Sequence, residues 1–499
     1  MDEADAWYSG LEARLIDFYG GPAAPKPDSQ GRVSTSFAKF WSRRVIDEHT
    51  SRQRVHIPIH NEIAATSADL LFGEAIHFTS DNTQAQDRLE EIGVNNRLDS
   101  LLLEAADVAA GIGGVYLRAG WDRDLEPAGP ILDVVHGDHA VPTFRRGRLV
   151  DVTFWRELLN DKGKIWRHLE HHTRGVIVHR LYVGNKDRIG VSRPLNERPE
   201  TAGLVGDDGA DEQGLVRLPD ALAQQLSVAY VPNMLPNKRH RGWPVGVADT
   251  LGAVDVMDAI DEIETSWVRD VRLGKQRIIV PDEFLERRGR GKGAQFDLDA
   301  EVFTGLEMDP QSRDKATIET FMPDVRWEAH ANTLTQHLEF TVNSAGYSPS
   351  TFGLIGDVST QRTATEISAR QDRTRHTLNR KRGYFRDALE HTARVLLELD
   401  RALFQARVGD IQELDVVWPE ADTDPHRVAE TVDLLRRAQA ASTRKLVEIA
   451  QPQLEGDALD EEVQRVLEEN GLAVTNPDGR PAPPGAPSGD GRAPAAATS

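Results

Sequence analysis

The stretch GVADTLGAVDVMDAIDEIETSWVRDVRL, residues 246–273, decides the fold because one predicted helix there carries two chemically different faces. Apolar residues recur at steps of three and four, which places them on one side of a helix: Ile260, Ile263, Trp267 and Val271. Acidic residues step likewise on a roughly opposite face: Asp255, Asp258 and Glu262. Because the two faces need different environments, we expect this helix to lie between a packed neighbour and a polar space.

A second amphipathic helix is predicted over residues 326–345, where Ala331, Leu334, Leu338 and Val342 align. Between the two helices, residues 276–325 contain short strand-like runs and a basic glycine loop, RRGRGKG. That loop is either a solvated hairpin tip or a tip that contacts phosphates or a protein partner. Its candidate contact residues are Arg287, Arg288, Arg290 and Lys292.

A long basic helix follows the loop of residues 346–361. The sequence Thr363-Ala-Thr-Glu366 is a capping box, and the helical pattern continues to about Phe404. Five arginines lie largely off its apolar stripe: Arg370, Arg373, Arg375, Arg380 and Arg382. They either pair with acidic groups of this chain or a neighbouring subunit, or contact DNA directly, and the pattern leaves these alternatives open.

The rest of the chain predicts an α+β fold with helical ends. From Val115 to about Tyr230 the apolar period is two, which indicates a mostly antiparallel sheet. Three short helices are predicted at 425–440, 442–451 and 457–470, the first opened by the N-cap and proline of Asp424-Pro425. Residues 475–499 are rich in Pro, Gly, Ala and Ser, so we expect this tail to be disordered.

Composition limits the class of protein. The chain has 499 residues, no cysteine, and 59 basic against 80 acidic residues, a net charge of −21. The length is too great for one ordinary core, and the absence of cysteine fits a reducing compartment. The sequence contains no run of 18 apolar residues, so no membrane span is predicted. The acidic N-terminus does not resemble a secretory signal. A simple DNA clamp is expected to be basic, so the charge disfavours tight DNA binding.

Catalytic motifs are sparse. No Gly-Lys pair is followed by Ser or Thr, which disfavours a phosphate-binding loop, and GIGGVYLRAG (111–120) follows a helix rather than a strand. One alternative is a metal-dependent hydrolase, whose histidine and carboxylate ligands would be His136, Asp138, His139, His168, Glu170, His171 and His172. The other interpretation of these residues is a polar sheet face. We expect no catalytic activity, no metal and no cofactor; a monomeric helical scaffold is the third hypothesis.

The order of parts resembles the portal proteins of tailed bacteriophages, the head-to-tail connectors. Several runs between about residues 35 and 470 are similar to that family: NEIAATSADLLFGEAIHF (61–78), HLEHHTRGVIVHRLYVG (168–184), RTATEISARQ (362–371) and DTDPHRVAETVDLLRRAQAASTRKLVEIAQPQLEGDALDEEVQRVLEEN (422–470). The chain departs from the family pattern in having Thr-Ala-Thr at 363–365 in place of a small Ser-Gly pair, and in its Pro-rich tail.

The resemblance implies a ring of about twelve subunits around a DNA channel. It implies a mostly helical stem and crown, an α/β wing lobe and a small β-rich clip insert. The parts would be the wing (1–245), stem helices (246–275 and 326–345), clip (276–325), tunnel loop (346–362), long wing helix and strand (363–419), crown (420–474) and tail (475–499). The ring would form in the host cytoplasm and sit at one vertex of the virion. Its partners would be the terminase large subunit, head–tail adaptors, the major capsid and scaffold proteins, and double-stranded DNA without sequence preference.

The resemblance also suggests roles for individual residues. The acidic stem residues Asp255, Asp258 and Glu262 would face the channel and repel the DNA backbone, since each neutralised phosphate adds affinity. Trp267 and the five helix arginines would contact the neighbouring subunit, and the four basic clip residues would contact partners or DNA. The tunnel loop would present Ser348, Pro349, Ser350, Thr351, Phe352 and Arg362.

Overall fold

The computed structural model describes most of the chain. The residues described are 2–16, 18–19, 54–161, 163–206, 209–273, 277–279, 286–287, 294–295, 319–321, 325–354, 364–406, 408–409, 413–419, 425–438, 440–451 and 456–469. The chain divides into two compact units, residues 1–418 and 419–499, and each is described separately. None of the helices described here is both long enough and apolar enough to cross a membrane.

The helices of the first unit are α1 (Asp2–Ser9), α2 (Glu12–Leu15), α3 (Ile59–Phe72), α4 (Thr83–Asn95), α5 (Leu98–Ile112), α6 (Pro199–Ala202), α7 (Val254–Leu273), α8 (Trp327–Ala345) and α9 (Ala364–Leu403). The second unit contains α10 (Pro425–Arg437), α11 (Thr443–Ala450) and α12 (Gly456–Glu469). These last three lie close to the predicted positions.

The strands are β1 (His77–Ser80), β2 (Gly114–Gly120), β3 (Ile131–His136), β4 (Ala140–Arg145), β5 (Arg148–Asp161), β6 (Lys164–Thr173), β7 (Val176–Gly184), β8 (Val191–Arg193), β9 (Leu215–Arg217), β10 (Val228–Pro232), β11 (Arg277–Ile279), β12 (Glu286–Arg287), β13 (Ala294–Gln295), β14 (Glu319–Phe321) and β15 (Leu414–Val417). The mixture of helix and sheet confirms the α+β class. The finer division into wing, stem, clip and crown remains a prediction.

Antiparallel pairing joins the strands into two main sheets. One has the order β10-β2-β3, and the other has the order β4-β5-β6-β7-β8 with β9 also paired to β7. The chain passes from the first sheet to the second between His136 and Ala140. A separate pair, β1 with β15, aligns Phe78 with Val416 and so joins sequence-distant parts of the unit.

The main core lies between the helices α3, α4, α5 and α9 and the three-stranded sheet. Phe72 and Phe385 meet edge to face with ring centroids 4.9 Å apart. Arg88 on α4 donates two hydrogen bonds to the buried Asp400 on α9, at 2.7 and 2.9 Å. Such paired, charge-assisted contacts fix geometry as well as adding energy. The long helix α9 is therefore an integral part of this core.

One local prediction differs from the structure. Leu11, Leu15 and Phe18 recur at helical spacing and predict one helix over residues 1–20, but the segment is divided into α1 and α2, because Gly10 adopts a positive φ of 62° between them. Helix α4 begins after Asn82, whose side chain accepts hydrogen bonds from the amides of Gln84 and Ala85. The glycines near 111–114 end α5, with Gly113 at φ 112°, as expected for a glycine run that follows a helix.

Candidate functional site

The two amphipathic helices α7 and α8 pack against each other within one chain. Met257 and Ile260 on α7 and Val342 on α8 belong to one buried cluster with the start of the chain and α3. Farther along, Trp267 stacks on His330 with ring planes 9° apart and centroids 6.0 Å apart. The predicted helix at 326–345 is confirmed, and Trp267 has an intrachain partner that the sequence did not reveal.

An ionic contact closes the far end of this helix pair. Asp270 on α7 accepts hydrogen bonds from Arg326, at 2.9 Å, and from His330, at 3.0 Å. These two hydrogen bonds lower the pKa of the Asp270 carboxyl. The side chains therefore couple α7 to α8 at the ends from which residues 274–324 depart.

One basic side chain, Arg54, lies against the predicted acidic face of α7. Asp255 is exposed, and Glu262 is 70% exposed. Arg54 donates to Asp258 at 2.5 Å and lies 3.7 Å from Glu262. Its guanidinium also covers the Tyr19 ring, 4.2 Å from the centroid. Of the three carboxylates, Asp258 therefore has its charge offset most directly.

Another carboxylate on α7, Asp261, is fully buried and was not predicted. It accepts hydrogen bonds from the Tyr19 hydroxyl at 2.9 Å and the Ile57 amide at 2.9 Å, and contacts His56 Nδ1 at 2.8 Å. Burial and the neighbouring Asp261 charge raise the pKa of Tyr19. Asp261 thus ties α7 to two segments near the N-terminus.

Three large apolar side chains on α7 and α8 remain more than half exposed in the chain. Val271 is 54%, Trp327 is 59% and Phe340 is 56% exposed. Single exposed apolar residues are ordinary on protein surfaces. All three lie on the two paired helices, and each offers a separate apolar position for contact with another chain.

The predicted tunnel loop begins with a compact turn held against α9. The Ser348 amide donates to Thr374 Oγ1 at 2.9 Å, and Thr377 Oγ1 donates to the Gly346 carbonyl at 2.8 Å. A short 3₁₀ turn, Pro349–Phe352, follows and includes the predicted residues Ser350 and Thr351. Phe352 packs edge to face on Tyr347, with centroids 6.0 Å apart. Arg362 lies outside the described residues.

A buried polar network lies directly behind this turn. Lys381 Nζ donates to Asp249 Oδ2 at 2.6 Å and to Ser67 Oγ at 2.7 Å. The Tyr347 hydroxyl and the Asn233 amide also donate to the Asp249 carboxylate, at 3.0 and 2.8 Å. Burial lowers the pKa of Lys381 and, together with the Asp249 charge, raises the pKa of Tyr347 well above its usual value.

The predicted arginines of α9 have different environments. Arg373, Arg375 and Arg380 are exposed, and Arg375 donates to Asp372 at 2.7 Å. Arg382 is half-buried, and burial lowers its pKa against an opposing effect of Glu74. Arg370 lies in the helix, but its side chain is outside the described residues. In the glycine loop, the side chain of Arg287 and residues Arg288, Arg290 and Lys292 are also outside them. Strands β12 and β13 on either side of that loop pair antiparallel.

Part of the predicted histidine set forms a closed polar network on β6 and β7. Glu170 accepts from Arg118 at 2.6 Å and contacts His172 Nε2 at 2.6 Å, while His168 Nε2 lies 3.1 Å from His179 Nδ1. Although burial raises it, the pKa of Glu170 is held well below its usual range by His172 and Arg118. A guanidinium on the central carboxylate disfavours a second cation, so this network fits the polar-face interpretation.

The remaining residues of the hydrolase hypothesis form a separate group. Within the described part of the chain, His136, Asp138 and His139 are close to one another, and His168, Glu170 and His179 form a second group. His171 instead hydrogen-bonds Thr153 at 2.8 Å. The residues therefore do not form the single ligand set that the hydrolase hypothesis requires.

Comparison with known proteins identifies a family for the chain. The chain matches the family described as "Phage portal protein, SPP1 Gp6-like" over residues 38–473. No curated protein matches it. A solved structure entitled "Virion of native gene transfer agent (GTA) particle" is similar at 13% identity and a TM-score of 0.37, covering 78% of this chain and 88% of that chain. The family is structural and not enzymatic. Because the match includes most of the sequence, the chain belongs to the SPP1 Gp6-like family of phage portal proteins.

Proposed function

We propose that this chain is the subunit of a ring that conducts the phage genome through one capsid vertex. The family match over residues 38–473 carries the proposal. By analogy with the family, about twelve copies surround the channel in cyclic symmetry. The ring docks the terminase large subunit during packaging and head–tail adaptors afterwards, and it contacts the major capsid and scaffold proteins.

The proposal assigns α7 and α8 to a stem, residues 276–325 to a clip and residues 346–362 to a tunnel loop. The apolar residues Val271, Trp327 and Phe340 of the stem are exposed in a single chain, which supports their burial against neighbouring subunits. Residues 420–474 form the crown in this scheme. The basic clip residues 287–292 dock partners through guanidinium and amide donors.

The acidic residues of the stem give the channel its chemistry. Asp255 and Glu262 are exposed and carry charges of the same sign as DNA phosphates. Repulsion keeps DNA from binding, because a basic lining would instead gain affinity from each counterion released. Arg54 offsets part of the negative charge at Asp258, so the channel wall is weakly rather than uniformly acidic.

Light scattering coupled to size exclusion, followed by negative-stain imaging of the same peak, tests the proposal. The expected particle has about twelve times the 55.3 kDa chain mass and a central hole. A monomer that also stays monomeric with its capsid and scaffold proteins would support the scaffold hypothesis instead. A monomer that assembles only with those proteins would keep the ring and make assembly dependent on them.

A further inference from the structure

The turn that joins the two main sheets places several potential metal ligands together. His136 is the last residue of β3, and one turn of 3₁₀ helix, Gly137–His139, leads into β4. Asp138 and His139 lie in that turn, and Glu104 of α5 approaches from the side. Both histidines are partly exposed, at 38% and 48%, so a solvated ion has access to them.

The distances between these groups suit coordination of one small cation. One ligand atom each from His136, Asp138 and His139 lies within 4.8 Å of the other two. His139 Nδ1 is 3.6 Å from Asp138 Oδ1, and His136 Nε2 is 3.7 Å from Glu104 Oε1. Ligands bound at about 2.0–2.2 Å around a tetrahedral ion are themselves roughly 3.3–3.6 Å apart. Small side-chain rotations would therefore complete such a site.

The Asp138 carboxylate provides an independent reason to expect a cation. The side chain is 32% exposed, but its Oδ1 atom is shielded from solvent and has no hydrogen-bond partner among the described residues. An unpaired buried acceptor is costly, and a positive ion is the strongest partner for it. The group on β6 and β7 differs, because Arg118 already neutralises Glu170.

We propose that His136, Asp138 and His139 bind a divalent transition-metal ion of the zinc class, with water as the fourth ligand. Two imidazoles with a carboxylate suit zinc and cobalt better than calcium or magnesium, which prefer oxygen ligands alone. The ion cross-links the end of β3 to the turn between the sheets and has a structural role. The proposal departs from the sequence-based expectation of no metal and is independent of ring formation.

Cobalt titration of the full chain tests the site directly. After chelator treatment, Co²⁺ is added and visible absorption and bound metal per chain are measured for the wild type, His139→Ala and Asp138→Asn. The wild type is expected to bind one more ion per chain than either variant and to show cobalt absorption bands that both variants lack. His77→Ala, which removes an exposed histidine on β1, is the matched control and is expected to bind like the wild type.

A second measurement separates loss of binding from loss of folding. Zn²⁺ is expected to raise the melting temperature of the wild type and of His77→Ala, and to leave that of His139→Ala unchanged. Circular dichroism of His139→Ala without metal is expected to match the wild type, because the side chain is half exposed. Equal metal content and equal cobalt spectra in the wild type and His139→Ala would overturn the proposal.

Discussion

Lys381 Nζ lies 2.6 Å from Asp249 Oδ2, and the two side chains are only 2% and 1% exposed. A buried ion pair of this kind is tolerated when hydrogen bonds satisfy both partners, and Ser67, Tyr347 and Asn233 provide them. The pair joins α9 to the turn preceding α7, to α3 and to Tyr347, two residues after the end of α8. It therefore holds the start of the proposed stem and the start of the proposed tunnel loop against α9.

Replacing the lysine is expected to destabilise the first unit strongly. Lys381→Met leaves the Asp249 carboxylate buried without its cation, a change that typically costs about 3–5 kcal/mol. Urea unfolding followed by tryptophan fluorescence measures the loss. Asn379→Met is the matched control, because Asn379 is an exposed residue of the same helix turn, and it is expected to change stability by about 0.5 kcal/mol or less. Equal unfolding midpoints for the two variants would contradict a structural role for the pair.

Stability is expected to fall in mild acid because His60 is buried in its neutral form. Its Nε2 donates to the Gly111 carbonyl at 2.9 Å, and its Nδ1 accepts from the Thr250 hydroxyl. Burial lowers the pKa of His60 to about 4, whereas the unfolded value is about 6.5. Between these pH values the unfolded chain binds more protons than the folded chain does. The stability that is present above pH 6.5 is therefore lost as the pH falls towards 4.

The expected loss from His60 alone is on the order of 3 kcal/mol at pH 4. Melting temperatures measured from pH 7.5 to pH 4.5 report this loss of stability. His168 is expected to contribute as well, because burial lowers its pKa to about 4. His60→Gln is expected to flatten the pH dependence, while His77→Gln, at an exposed position, leaves it unchanged. If His60→Gln has the same pH profile as the wild type, the buried neutral histidine is not a source of acid sensitivity.

Periodicity predicted the regular elements well because it is a local property. The second amphipathic helix was predicted at 326–345 and is observed at Trp327–Ala345, and the three C-terminal helices agree almost as closely. Lys381 was missed although a signal existed. Together with Thr374, Leu378 and Phe385 it follows the spacing of the buried stripe of α9, which marks a lysine that faces inward.

The polar partners of α7 could not be read from the sequence. Asp258 is paired with Arg54, which is 204 residues away, and Asp261 is paired with Tyr19, which is 242 residues away. Helical spacing orders the acidic residues around the helix but does not reveal which other segment packs against them. Only the tertiary fold distinguishes the buried Asp261 from the exposed Asp255.

An acidic residue at an exposed apolar position of the stem is expected to prevent ring assembly without unfolding the chain. Phe340→Asp places a charge where the proposal requires a buried subunit contact, which costs several kcal/mol when unpaired. Light scattering is expected to show a monomer whose circular dichroism equals that of the wild type. Val94→Asp is the control, since Val94 is 77% exposed on α4 and outside the stem. Normal rings from Phe340→Asp would place the subunit contact elsewhere.

Charge reversal on α9 is expected to weaken the ring in a salt-dependent way. Arg380→Glu removes an exposed cation proposed to pair with a neighbouring subunit, whereas Arg375 is already bonded to Asp372 within the chain. We therefore expect Arg380→Glu to shift the ring–monomer balance more than Arg375→Glu does at low salt. Because exposed charges are screened, the difference should shrink in high salt. Analytical ultracentrifugation at two ionic strengths measures it, and equal, salt-independent effects would contradict intersubunit pairing.

Reversing the charge of the proposed channel wall is expected to convert a passive conduit into one that holds DNA. The double variant Asp255→Lys, Glu262→Lys places exposed lysines where phosphates would pass. Each phosphate contact steepens the slope of log binding constant against log salt concentration by about 0.9. Fluorescence anisotropy of a short duplex with assembled rings, across a salt series, is expected to show tighter and steeper binding than the wild type. Glu90→Lys changes an exposed residue of α4 outside the stem and is expected to have a smaller effect. If all three proteins bind the duplex alike, the acidic face of α7 does not line the channel, and the exposed carboxylates must serve another surface.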